Sequence, residues 1–209
     1  MRLGIAITIL TGLMFVTACS DPAADQPRAT TGAATQASPR SLAGTKFVIT
    51  PQNSKIEFVG SKVTGSHNGS FQKFSGEIDY ADTPETSRVS ITIDADSITT
   101  DDPKLTEHLK TADFFDVAKF PQATFTSTEI KRSAEGGGTH TITGNLTLHG
   151  VTKSVTFPAT IDVTSNLVSV DSNFSINRKD FEINYAGARD NLIRDGVVLK
   201  LTIRAAKAS

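Results

Sequence analysis

Cys19 is the single thiol in the chain, and His67, His108, His140 and His149 are the four side chains that ordinarily titrate near neutrality. One cysteine excludes an intrachain disulfide and any zinc site built on several thiolates. The histidines lack the short-spaced pairs of a recognisable zinc pattern, so no metal site is expected. His140 and His149 are read on the polar side of the strand pattern around them, which implies structural or solvent-facing roles. Asp101-Asp102 before Pro103 reads as a helix cap rather than a catalytic pair. Asp190 and Asp195, beside Arg189 and Arg194, read as surface or mouth ion pairs rather than acid-base machinery. No Gly-x-Ser-x-Gly elbow, phosphate loop or dinucleotide fingerprint occurs, so no catalytic residue is assigned and an enzyme is not expected.

The chemistry open to Cys19 is set by what precedes it. Met1-Arg2 give a short positive start, Leu3 to Val16 an apolar stretch, and small residues lead into the cysteine, which is the layout of a secretory signal over residues 1–18. The stretch is short for a membrane span. Val16-Thr17-Ala18-Cys19 resembles a lipobox, in which the thiol is acylated and the cysteine becomes the mature N-terminus. Several acyl chains on one residue anchor firmly, because each buried methylene contributes roughly 0.8 kcal/mol. The expectation is a lipoprotein of the cell envelope that faces the periplasm. Ser20 after the cysteine favours the outer membrane.

The 209-residue chain has room for one sizeable domain with a tail. Its 21 Lys and Arg balance 22 Asp and Glu, which leaves no field to attract nucleic acid. Twelve Phe accompany two Tyr and no Trp, and with frequent Thr, Ser, Val and Ile they point to β structure around an oily interior.

The elements that must position these residues follow from periodicity. Residues 19–44 are mostly Ala, Thr, Gln, Pro, Ser and Gly with little apolar bulk beyond Leu42, and read as the lipidated cysteine plus a disordered tether. Across 45–207, Val89, Ile91 and Ile93 alternate with Ser90, Thr92 and Asp94. Ile142, Gly144, Leu146 and Leu148 alternate with Thr143, Asn145 and Thr147, and Val197, Leu199, Leu201 and Ile203 repeat the pattern. One wet and one greasy face indicate an antiparallel sheet closed or folded on itself. Gly136-Gly137-Gly138 and Thr83-Pro84-Glu85 mark turns. A helical insert is expected from Asp102 to about Asp116. The fold class is all-β, with an up-and-down barrel whose interior is either packed or left open for one ligand.

Three blocks resemble the YceI-like family: Lys62-Val63-Thr64-Gly65-Ser66-His67-Asn68-Gly69-Ser70-Phe71, His108-Leu109-Lys110-Thr111-Ala112-Asp113-Phe114-Phe115-Asp116-Val117, and Gly144-Asn145-Leu146-Thr147-Leu148-His149-Gly150-Val151. They fall in family order across about Thr45 to Ala205. The resemblance implies an eight-stranded, lipocalin-like antiparallel barrel with a short helical insert. It also implies an exported protein that binds a polyisoprenoid, such as an isoprenoid quinone tail, in its lumen.

A prenyl chain has few polar atoms, so its recognition rests on apolar area at roughly 25 cal/mol per Å². By alternation Phe58, Ile91, Ile93, Phe125, Leu146, Leu148, Phe157, Phe174, Ile176, Leu199 and Leu201 face inward. Phe71, Phe74, Phe114, Phe115 and Phe120 are expected to line the same space from turns and the helical insert. His67 and His149, each near a glycine in a family-like block, are candidates to orient a polar headgroup. The expected ligand is a bound lipid and no cofactor, and a homodimer stays open. Two alternatives remain: a lipid-modifying enzyme using polar residues at the mouth, and an envelope interaction module with a solid core.

Overall fold

The period-two stretches become strands because alternating faces let one side of each strand bury its apolar residues while the main chain pairs laterally. The computed structural model describes residues 21–36, 44–188 and 191–208. Within them the chain forms β1 (Thr30–Ala33), β2 (Thr45–Ile49), β3 (Lys55–Lys62), β4 (Gly65–Phe71), β5 (Phe74–Tyr80), β6 (Arg88–Asp94), β7 (Ile98–Thr100), α1 (Pro103–Leu109), β8 (Gln122–Arg132), β9 (His140–Leu148), β10 (Val151–Val163), β11 (Leu167–Asn177), β12 (Gly187–Ala188), β13 (Asn191–Leu192) and β14 (Gly196–Lys207).

Three staves of the barrel are interrupted strands. β2 pairs with β5 while β3 pairs with β4, so β2–β3 and β4–β5 each act as one broken stave; β6–β7 is the third, pairing with β5 and β4. β8, β9, β10, β11 and β14 follow in antiparallel order, and β14 returns to both β2 and β3. The result is a closed eight-stranded antiparallel barrel. At one end the connections are tight, including the β8–β9 turn where Gly136 and Gly137 take φ of 66° and 81°, values that glycine adopts without a Cβ clash. At the other end two long connections, Asp101–Pro121 and Arg178–Asp195, fold over the opening.

The segment expected to be a tether is, where described, part of the wall. β10 and β11 pair only between Thr160–Val163 and Asp171–Val168. Toward the open end they part, and the N-terminal segment occupies the gap. β1 pairs with β10 from Thr30↔Thr156 to Ala33↔Lys153, the Ala29 amide donates to the Ser175 carbonyl at 2.8 Å, and the Ser175 amide donates to Pro27 at 2.9 Å. Small residues suffice because the segment is held by main-chain bonds, residues 30–33 to β10 and residues 27 and 29 to Ser175 of β11, rather than by apolar bulk. Cys19 and residues 37–43 lie outside the described residues.

The insert also differs from expectation in length. Asp102 caps α1 by accepting from the amides of Lys104 and Leu105 at 2.8 and 3.4 Å, with Pro103 in the first turn. The helix ends at Leu109 rather than near Asp116. Turns take over, and Asp116 itself has φ of 45°, a left-handed value that Asp tolerates better than most residues.

Candidate functional site

The inward faces of the staves do not meet. They enclose a cavity of about 470 Å³, within the roughly 300–1,000 Å³ of small-molecule sites. The solid-core alternative therefore does not describe this barrel.

Most of the residues expected at the lumen are in its wall. Phe58, Phe71, Ile91, Ile93, Phe125 and Leu146 line one side of the cavity, and Leu148, Phe157, Phe174, Ile176, Leu199 and Leu201 continue around it. Phe114 and Phe115 close on it from the insert, and His67 sits at the mouth. Phe157 and Phe174 stack with centroids 4.2 Å apart and planes at 6°, a contact worth about 0.5–1.5 kcal/mol beyond area burial. They lie opposite each other where β10 and β11 separate, and so keep that part of the wall apolar. Gly69 and Gly144 make room for two more rings: a Cβ on Gly69 would overlap Phe58, and one on Gly144 would overlap Phe125.

Three expected contacts are not in the wall. Phe74 is buried at the start of β5 opposite Ile93, in the packed core beside the break between β4 and β5. Phe120 covers the β9–β10 turn instead, its ring 4.9 Å from that of His149 and in the space a Gly150 Cβ would fill. His149 takes φ of 51° in that turn, and its Nδ1 donates to the Phe181 carbonyl at 3.2 Å. The pair is structural because the tight turn directs both rings away from the lumen.

His140 also differs from expectation. It shares the buried face of Ile142 and does not lie on the polar side of the strand. Burial pushes its pKa below the ordinary value, against the opposing pull of Glu85.

Other wall residues were not singled out from the sequence. Ile56, Ile78, Val155 and Val170 line the cavity, and extending the alternation to every strand would have found them. Leu105, Ile183, Tyr185 and Ile193 also line it. The last three come from the Arg178–Asp195 segment, which carries no periodic signal.

That segment is organised by one buried cation. The Arg178 guanidinium donates to the carbonyls of Ile183, Arg194 and Ile193 at 2.6, 3.2 and 3.4 Å, and to Asp195 Oδ1 at 3.3 Å. Burial lowers its pKa and Asp195 opposes the shift. The polar groups at the mouth are paired. His67 Nδ1 lies 2.8 Å from Asp101 Oδ1 while the Asn68 amide donates to Oδ2 at 3.0 Å, and these bonds, the amide's first, hold the Asp101 carboxyl below its usual range. His108 Nε2 lies 2.8 Å from Asp113 Oδ2 and edge-on to Phe114 and Tyr185. Asp195 pairs with Lys179 as well as Arg178, and Arg194 with Asp21. Arg189 and Asp190 lie outside the described residues. Among the described residues no three His, Cys, Asp or Glu side chains gather as a metal site.

A closed antiparallel barrel with an apolar lumen, open at one end beneath two loops, defines the class of lipocalin-like ligand-holding barrels. Within that class the chain belongs to the YceI-like family, whose domain model matches residues 47–205. A UPF0312 protein of Yersinia enterocolitica is 39% identical over 122 residues, 55% of this chain and 62% of the relative. One of Yersinia pestis is 38% identical over the same length. The match thus spans about three fifths of those relatives. Among solved structures, BcnA of Burkholderia cenocepacia superposes with a TM-score of 0.64 at 27% identity, covering 75% of this chain and 99% of that one. The YceI protein of Campylobacter jejuni gives 0.59 at 25% identity, over 68% and 85%. A polyisoprenoid-binding domain from Saccharophagus degradans, implicated in plant cell wall breakdown, gives 0.63 at 19% identity, over 78% and 99%, and shares the fold.

Proposed function

We propose that this protein is an exported, non-enzymatic lipoprotein that holds a long apolar lipid, a polyisoprenoid or an isoprenoid quinone, inside the barrel as a carrier, store or scavenger. The observation that carries the reading is the continuous apolar lumen of about 470 Å³ walled by stacked and edge-on phenylalanines. Such a wall offers dispersion and water exclusion along its whole length, which suits a chain without charge. Ser61 Oγ is buried in the wall without a hydrogen-bond partner among the described residues, placed to meet a polar end group. The Saccharophagus domain of the same fold binds polyisoprenoid by its own description.

The lipobox-like run ending at Cys19 supports acylation and residence in the cell envelope facing the periplasm, at the outer membrane, with the protein as a monomer or homodimer. Gentle extraction of the full chain followed by mass spectrometry is the test. A prenyl quinone or prenyl alcohol released from the barrel is the expected result. An empty barrel from cells rich in such lipids overturns the reading.

A further inference from the structure

The exposed apolar side chains are not spread evenly over the surface. Among the described residues the large exposed ones are Val48, Val63, Tyr185 and Leu192, at 42%, 47%, 36% and 49% exposure. Val48 lies at the closed end and the other three surround the mouth. Val63 and Leu192 are neighbours, since the Val63 amide donates to the Leu192 carbonyl at 3.1 Å and Lys62 bridges to Ile193. Tyr185 both lines the cavity and faces solvent. The patch therefore continues the oily lumen outward onto the rim.

The N-terminal segment ends at this same rim. Asp21 pairs with Arg194 at 3.5 Å, Arg194 lines the mouth, and Ala23 lies so close to Gly196 that a Cβ there would sit 2.8 Å from its side chain. Only Ser20 separates Asp21 from Cys19. Two residues span at most about 7 Å, so acyl chains on Cys19 would enter a bilayer beside the mouth and not at the end of a long leash.

We propose that the rim formed by Val63, Tyr185 and Leu192 is a membrane-docking surface that seats the open end of the barrel on the bilayer, so that lipid passes between bilayer and lumen without crossing water. The inference rests on the lipid-binding lipoprotein reading above. Amphipathic surfaces of this kind bind by buried apolar area, reinforced here by the adjacent acyl anchor. A second copy of the chain is the competing occupant. It is disfavoured because a symmetric dimer through the rim would block the route into each lumen.

The absence of Trp supplies the experiment. The full chain carrying Leu192→Trp or, at the opposite end, Val48→Trp is placed in phosphatidylcholine vesicles containing a long-chain ubiquinone, with and without bromine on the acyl chains. Rim docking predicts that emission from the L192W protein is quenched by about twofold or more in brominated vesicles while that of V48W is unchanged. Equal quenching at both ends, or none at the rim, overturns the proposal. So does concentration-dependent burial of the rim reporter without vesicles, which would mark an interface between copies. A Val63→Asp/Leu192→Asp double variant, whose exposed sites tolerate the change, is expected to slow ubiquinone uptake from vesicles by about tenfold while detergent-solubilised protein still binds it. Intact mass of the purified chain and its extracted lipid report acylation and lumen occupancy separately. An empty or unacylated protein therefore points to failure of the underlying reading, and a filled, acylated barrel without rim quenching to failure of the docking.

Discussion

The Ala29 amide and the Ser175 carbonyl meet at 2.8 Å across the gap where β10 and β11 part, which makes the N-terminal segment a piece of the barrel wall. Ala29→Pro removes that donor next to a buried position. It is expected to lower stability by about 1–3 kcal/mol, read as a shift of the urea midpoint, and to release residues 21–33 to protease before the rest of the barrel. Unchanged cleavage would show that the strand is not held as described.

Filling the lumen should separate ligand binding from folding. Ala123 is buried in the cavity wall, and Ala123→Leu in a solid core would cost about 1–3 kcal/mol through overpacking. Beside an open cavity the added methyl groups have somewhere to go. A smaller stability loss together with reduced lipid retention is expected in paired denaturation and mass-spectrometric measurements. The reverse pattern would count against the hollow barrel.

Gly144 tests the same wall from the other direction. A methyl group at this position would overlap both the Phe125 ring and the Thr126 carbonyl oxygen, so Gly144→Ala should shift the β8 main chain and drive that ring into the lumen, at a cost of about 1–3 kcal/mol. Lipid retention should fall with it. Unaltered ligand content in the purified variant would mean that Phe125 does not bound the ligand space.

Arg178 holds three carbonyls of the mouth segment at once. Lys cannot reproduce the planar fork, so Arg178→Lys leaves some of these acceptors unmet at about 1–3 kcal/mol each. Faster amide hydrogen exchange over 183–195 and faster release of bound lipid are the expected readouts. The far end, at the β8–β9 turn, should be unaffected.

His140 gives the barrel an acid-sensitive element. Its Nδ1 is 2.8 Å from Thr139 Oγ1, while Nε2 is 3.6 Å from Glu85 Oε1, too far for a hydrogen bond. Burial holds its pKa below the ordinary 6.5, so the unfolded chain binds a proton here at a higher pH than the folded one. This contribution is complete above the unfolded value of 6.5 and is lost as pH falls from there toward the lower folded value. Urea midpoints at about pH 7.5 and 5.5 should therefore differ more for the native chain than for His140→Gln. An equal difference would place the acid sensitivity elsewhere.

The alternation of Ile91 and Ile93, of Leu146 and Leu148, and of Leu199 and Leu201 was sufficient to define antiparallel strands and the greasy side of each, because a strand's period of two is a local property that tertiary context cannot alter without turning every side chain over. Asp102 and Pro103 likewise announced their helix, since capping acts within one turn. What lay beyond local rules was decided only by assembly. Phe120 and His149 were drawn to the β9–β10 turn, Arg178 gathered carbonyls from residues up to 16 positions away, and a strand of small residues was recruited by main-chain partners that its own composition does not reveal. Whether the phenylalanines meet or leave a void depends on barrel radius and ring orientation, which are set by the closure of all eight staves together and by no single segment.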